Sequence, residues 1–255
     1  MNRVITHNYH THTTRCGHAV GTEREYVEAA IAAGFTTLGF ADHVPYPYMK
    51  DDYYSNYRMK PEQTDDYVST ISALKEEYKD KIEILTGYEA EYYPDVFDAM
   101  IEHVESHGCD YLILGQHFID NSRELWGSTW GIEREEYLAK YVELCVEGLK
   151  TGKYKYLCHP DVFKFTGDDA IFDKHYRELC REVKKLDIPL EINLWGIVNG
   201  MHYPSDRFFR IAAEEGNRVI MGCDAHASWI FGNQEYYEKA FEIVERNGLT
   251  LQESF

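Results

Sequence analysis

His10 and His12 stand two residues apart, and in an extended segment their rings leave the same face, a spacing that can grip one metal ion. A chain with twelve histidines produces such pairs by chance, so the surroundings have to decide. His18 follows in a Thr-Thr-Arg-Cys-Gly-His-Ala run, and His43 ends an Ala-Asp-His run. Glu89 lies in Gly-Tyr-Glu-Ala-Glu, where its two oxygens could each serve a different cation. His117 ends Gly-Gln-His, His159 opens His-Pro-Asp, and Asp224 and His226 close Gly-Cys-Asp-Ala-His. Any one of these residues is explained by a helix cap or a turn. Seven histidines and two acids gathered at one place would be costly to bury unless cations accepted the imidazole lone pairs and paired the carboxylates.

Gathering them is the task of the intervening elements. Short β-branched or aromatic runs predict strands at Val4 to Tyr9, Thr36 to Ala41, Ile82 to Tyr88, Tyr111 to Gly115, Tyr154 to Cys158, Pro189 to Asn193 and Arg218 to Gly222. Amphipathic periodicity predicts helices over Glu23 to Ala33, Pro61 to Lys79, Asp95 to His107, Arg134 to Leu149, Asp173 to Leu186, Ser205 to Glu215 and Tyr236 to Asn247. Strict alternation implies parallel strands. Six of the seven strand ends carry a candidate ligand, which favours a barrel, where those ends share one mouth, over an open sheet that would spread them along a line. The expectation is a single α/β domain over residues 1–255, a TIM-like barrel of seven strand-helix units.

Composition narrows the partners. Against 26 basic residues stand 44 acidic ones, a formal charge of −18 that disfavours extended nucleic acid. No apolar stretch is long enough for a membrane span, and the first twelve residues lack a signal-peptide run, so a cytoplasmic place is expected. The six cysteines, without close pairing, read as reduced thiols. Cys158 and Cys223 precede ligands, and alternation should turn them away from the metals into packing.

In order along almost the whole length, the motifs His10-Thr-His12 with His18, Ala-Asp-His43, Gly-Tyr-Glu89, Gly-Gln-His117, His159-Pro and Asp224-Ala-His226 resemble the polymerase and histidinol phosphatase (PHP) family of metal-dependent phosphoesterases. The resemblance implies a distorted seven-unit barrel and a centre of two or three zinc, manganese or iron ions. By position it assigns His10, His12, Glu89 and Asp224 to the first ion, Glu89, His117 and His159 to the second, and His18, His43 and His226 to the third. Glu89 would bridge, and the neighbouring Glu91 is the less favoured ligand. Asp224, Glu89 and His226 would serve the chemistry, in which two cations sharing an oxygen ligand supply hydroxide for in-line attack on a phosphate. Asp224 or a water on the metal would protonate the departing alkoxide.

Substrate contacts are expected from Arg15, Lys164, Asn193, Trp195, Asn199 and His202, all in segments after strands. The Glu191-Ile-Asn193 run resembles the histidinol-phosphatase branch, making histidinol phosphate the leading substrate. An arginine often found just beyond that run is replaced here, by position, with Val198 or Asn199, which leaves another small phosphate monoester as the alternative. An amidohydrolase-type hydrolase would also use His-x-His and a late aspartate, but often with a carboxylated lysine as bridge; a binding module without turnover is the remaining class. His7, His103, His107 and His175 read as packing or surface residues. The aromatic stretch Tyr46 to Tyr57 is either a lid over the mouth or an ordered surface loop or oligomer contact. Oligomeric state is open.

Overall fold

The computed structural model describes residues 5–46, 55–121, 125–127 and 130–255. Seven strands follow one another around a sheet in chain order: β1 (His7–Asn8), β2 (Thr37–His43), β3 (Glu83–Ala90), β4 (Tyr111–Leu114), then, after a small hairpin of β5 (Phe118–Asp120) and β6 (Leu125–Gly127), β7 (Tyr154–Leu157), β8 (Leu190–Asn193) and β9 (Arg218–Gly222). Each neighbouring pair in the main sheet is parallel. Strands covered on both faces are mostly apolar, and β2, β4 and β8 are buried at every residue; among their buried polar residues, Asp42, His43, Glu191 and Asn193 serve the site. The sheet curls until the continuations of β1 and β9 meet: the amide of His12 donates to the Ala225 carbonyl at 3.0 Å, and that of Ala225 to the His10 carbonyl at 3.1 Å. This is the expected seven-unit barrel. A further short strand, β10 (Thr250–Leu251), pairs with the start of β9.

The helices α1 (Glu23–Ala33), α2 (Thr64–Tyr78), α3 (Phe97–His107), α4 (Glu135–Lys150), α5 (Asp169–Lys185), α7 (Asp206–Glu214) and α8 (Gln234–Asn247) fall where periodicity places them, with one added turn, α6 (Leu194–Val198), directly after β8. Their ends have local causes. The Thr22 hydroxyl and the Glu25 carboxylate cap α1 reciprocally. Asp168 accepts from the Ala170 amide at 2.7 Å, so α5 begins four residues before the expected Asp173. Pro61–Gln63 forms a 3-10 turn rather than the first turn of α2.

Two strands run past their expected ends, β2 to His43 and β3 to Ala90, which matters for the site because their register sets His43 beside Glu89. Below them the barrel is filled by Tyr9, Ala41, Tyr111, Ile113, Tyr156, Cys158 and Ile220. The Tyr111 hydroxyl donates to the carbonyls of Tyr9 (2.8 Å) and Phe40 (3.1 Å), and the Phe255 ring lies 4.2 Å from that of Tyr9.

Candidate metal centre

The segments leaving β1, β2, β3, β7 and β9, with His18 and His117 from neighbouring loops, bring all nine expected ligands to one mouth. Eight of them are buried, and His18 is exposed at the rim. Backbone geometry helps to aim two of them: His159 (φ 25°) and Asp224 (φ 48°) have positive φ, unusual for non-glycine residues and common where a site over-determines the backbone. That turn explains why Cys158 is not directed away as expected. It points into the barrel, its sulfur within 4.8 Å of donor atoms of His10 and Glu191, whereas Cys223 packs outward with Sγ 3.5 Å from the Tyr237 hydroxyl. All six cysteines are unpaired.

Glu89 sits at the centre with its two oxygens facing different sets. Oε2 is 3.5 Å from Nε2 of His10, 3.5 Å from Nε2 of His12 and 3.0 Å from Nδ1 of His43. Oε1 is 2.7 Å from Nε2 of His159 and 3.4 Å from Nε2 of His117. Space for this carboxylate exists because residue 115 is glycine; a Cβ there would overlap it. Asp224 Oδ1 lies 3.0 Å from His12 Nε2 and 3.5 Å from His10 Nε2. Donor atoms of His18, His43 and His226 form a third group within 4.8 Å of one another.

Nε2 of His10, His12 and His226, Nδ1 of His43 and His159, Oε2 of Glu89 and Oδ1 of Asp224 are buried without a hydrogen-bond partner. Buried polar atoms are normally paired, and six of these orphans, all but Nδ1 of His159, whose ring turns Nε2 to Glu89, form the donor set that a divalent cation satisfies. The residues present therefore fit a metal centre.

Three further carboxylates surround the cluster, each with both oxygens engaged. Glu191 accepts from Nδ1 of His10 at 2.8 Å, from the His159 amide at 2.9 Å and from Asn193 Nδ2 at 2.9 Å, in space left by Gly222. Asp42 faces Nδ1 of His12 at 3.4 Å and accepts from the His43 amide (2.8 Å) and from the amide and hydroxyl of Thr13. Glu91 faces Nδ1 of His117 at 3.3 Å, accepts a two-pronged contact from Arg58 at 2.9 and 3.0 Å, and receives the Tyr46 hydroxyl at 3.3 Å. These are outer groups that fix ring orientation and tautomer. Asp42 and Glu191 stand inside motifs quoted from the sequence but were given no role there; a carboxylate within a buried strand was the signal for both.

Charge in the cluster is internally opposed. Burial works against the protonated ring of His10, but Glu191, Asp224 and Glu89 outweigh it and hold its pKa well above the usual value; His12 and His159 are raised against burial by their carboxylate partners. Burial, joined by the His12 charge, pushes His43 well below its ordinary value and His226 to about 3. Burial also disfavours the carboxylates of Glu89 and Asp224, yet the surrounding histidines hold both well below the usual carboxylate range. The neutral rings of His43 and His226 and the ionised carboxylates are in the states that metals require, whereas His10, His12 and His159 must give up a proton to bind one.

Above the cluster opens a cavity of about 370 Å³ lined by Tyr57, Phe118, Trp130, Trp195 and Tyr203 together with ligand residues. Of the six expected substrate contacts only Trp195 lines it, 4.7 Å from the His226 ring. The others are placed elsewhere for physical reasons. Arg15 is drawn into ion pairs with Glu23 and Asp66. Asn193 is fully buried, donating to Glu191 and Asp224 and capping α6 through the Gly196 amide. Asn199 is exposed and donates to the Trp195 carbonyl, and Lys164 and His202 border a separate smaller pocket beside Asp161, whose carboxyl burial raises to about 6. Residues 47–54 of the expected lid lie outside the described residues; of its ends, Tyr46 anchors to Glu91 and Tyr57 stacks over His18 at 5.0 Å and His43 at 4.5 Å. His175 bonds Glu135 and His103 bonds Thr64, as packing residues do.

Comparison with known proteins agrees with this geometry. The family model described as "PHP domain" matches residues 8–194. A Deinococcus radiodurans protein named "Probable histidinol-phosphatase" is 30% identical over 259 aligned positions, covering 95% of this chain and 94% of that one. Among solved structures, the histidinol phosphate phosphatase of Lactococcus lactis, a complex with zinc, L-histidinol and phosphate, superposes with TM-score 0.74 at 19% identity over 98% of this chain and 96% of that one. A structure from a study of the metal-dependent tyrosine phosphatases YwqE of Bacillus subtilis and CpsB of Streptococcus pneumoniae gives TM-score 0.51 at 14% identity, covering 97% and 98% of the two chains. With the ligand motifs, the seven-strand barrel and the matched model in agreement, the chain belongs to the PHP domain family.

Proposed function

We propose that this protein is a metal-dependent phosphomonoesterase that hydrolyses histidinol phosphate to histidinol and phosphate. The observation that carries the reading is the set of six unpartnered donor atoms, on His10, His12, His43, Glu89, Asp224 and His226, buried beneath one open cavity. The names of the Deinococcus relative and of the Lactococcus structure support the choice of substrate. His10, His12, Glu89 and Asp224 would hold one ion, Glu89, His117 and His159 a second, and His18, His43 and His226 a third. Two or three zinc, manganese or iron ions would there supply Lewis acidity, acidifying water toward neutrality and offsetting phosphate charge.

The chain's own groups set the rest. Glu89 and Asp224, held ionised, suit metal ligation rather than proton donation, which would leave a water on the metal to protonate the departing alkoxide. Glu191, Asp42 and Glu91 keep the rings of His10, His12 and His117 turned so that Nε2 faces the centre. Residues 1–255 act as one domain in this reading, placed in cytoplasmic histidine synthesis; no helix among the described residues is long and apolar enough to cross a membrane. Glu89 faces both ligand sets and would serve as the bridge, and no lysine lines the cavity among the described residues, which disfavours an amidohydrolase-type site.

Phosphate release from histidinol phosphate by manganese- or zinc-loaded protein, with His10→Ala as control and other phosphate monoesters alongside, tests the proposal. Selective turnover lost in the control is expected. Turnover of a different ester alone would retire the substrate, and no metal-dependent turnover of any ester would retire the phosphatase reading.

A further inference from the structure

The wall of the cavity is chemically unlike its floor. Every described carboxylate or histidine that lines it belongs to the metal cluster, and neither lysine nor arginine is among the described lining residues. What remains is aromatic or apolar: Tyr57, Phe118, Trp130, Trp195 and Tyr203, with Val162 and Met201. Three of these rings pack directly on ligand histidines, Tyr57 on His43 at 4.5 Å, Trp195 on His226 at 4.7 Å and Tyr203 edge-on to His159 at 5.9 Å. An ester whose phosphate lies at the cluster must therefore carry its alcohol portion up between them.

We infer that Trp195, Trp130, Tyr57 and Tyr203 form an aromatic box that selects phosphate esters of flat, cationic alcohols. Ring faces attract ammonium and imidazolium groups and stack on planar ones. A polyol has many hydroxyls that such a wall cannot pair, so sugar and glycerol phosphates lose hydration without compensation. This inference names the recognition element of the site proposed above and rests on that reading for the position of the phosphate.

The test compares kcat/KM for histidinol phosphate with kcat/KM for glycerol 3-phosphate in metal-loaded wild type, Trp195→Leu, Trp195→Phe and Trp130→Leu. A ratio cancels damage to the metal cluster, which Trp195 touches through His226. Removing one ring face should lower the ratio about tenfold, mostly through KM, with Trp195→Phe restoring most of it. Quenching of tryptophan fluorescence by histidinol gives a readout without turnover, and its dissociation constant should rise by a similar factor in Trp195→Leu. Unchanged ratios in both leucine variants, or equal losses on both esters, would overturn the box. If wild type fails on histidinol phosphate but hydrolyses other esters, the substrate assignment falls separately, and p-nitrophenyl phosphate against glycerol 3-phosphate in the same variants decides the box: a ratio that stays constant rejects it.

Discussion

The two ends of the same strands obey opposite rules. At the lower end Tyr9, Tyr111, Tyr156 and Phe255 pack ring against ring, and the Tyr111 hydroxyl is satisfied by two carbonyls. At the mouth, a few residues further along, seven polar atoms are buried without partners and two ligands have positive φ. A satisfied end makes the barrel stable, and an unsatisfied end is held in place by the rest so that it can bind. Substitutions should accordingly separate into those that cost chemistry and those that cost stability.

The sharpest separation is expected at Glu89. Glu89→Gln should lower kcat by at least about 10³-fold and reduce bound metal, since it removes the charge of the carboxylate facing both ligand sets. Full metal content with full activity, measured by elemental analysis and phosphate release, would break the comparison at its strongest point. Next come the outer carboxylates: Glu191→Gln and Glu91→Gln should each weaken metal affinity roughly 10- to 100-fold in a chelator competition. The same affinity in variant and wild type would mean that these contacts do not position the rings.

The pH dependence has a definite sign. In the metal-free protein His10, His12 and His159 have raised pKa values, so their protonated contacts stabilise the fold below the unfolded value of about 6.5 and that contribution is lost as pH rises through the raised values. Glu89 and Asp224, held low, contribute above their unfolded values and lose this only in acid. Metal binding must expel the histidine protons, so affinity should fall about tenfold per pH unit for each proton released as pH drops from 8 to 6. A flat profile would show the rings already neutral. The smallest effect on activity belongs to the lower end: Tyr111→Phe should cost about 1–2 kcal/mol in denaturant unfolding and leave metal affinity unchanged.

Much of this was legible in one dimension. His10 and His12 are two apart because a strand repeats every two residues, and Glu89, His117, His159 and Asp224 sit at or just beyond strand ends because parallel strands deliver those ends to one mouth. The seven strands and their helices followed from apolar periodicity, which burial on both sheet faces enforces locally. What the chain could not announce was pairing across distance. Arg15, Asn193, Asn199 and His202 had suitable chemistry for substrate, but their directions were set by Glu23, Asp66, Glu191, Asp224 and the carbonyls of Trp195 and Val162, partners 2 to 51 residues away. Glu191 became a support for His10 only when the fold brought positions 181 residues apart within 2.8 Å, and Asp42 a support for His12 across 30 residues at 3.4 Å. The sequence by itself determined which groups could serve as metal donors, since ligand chemistry and strand period are local; the tertiary structure alone decided which polar residues were spent on orienting them and which rings line the cavity above.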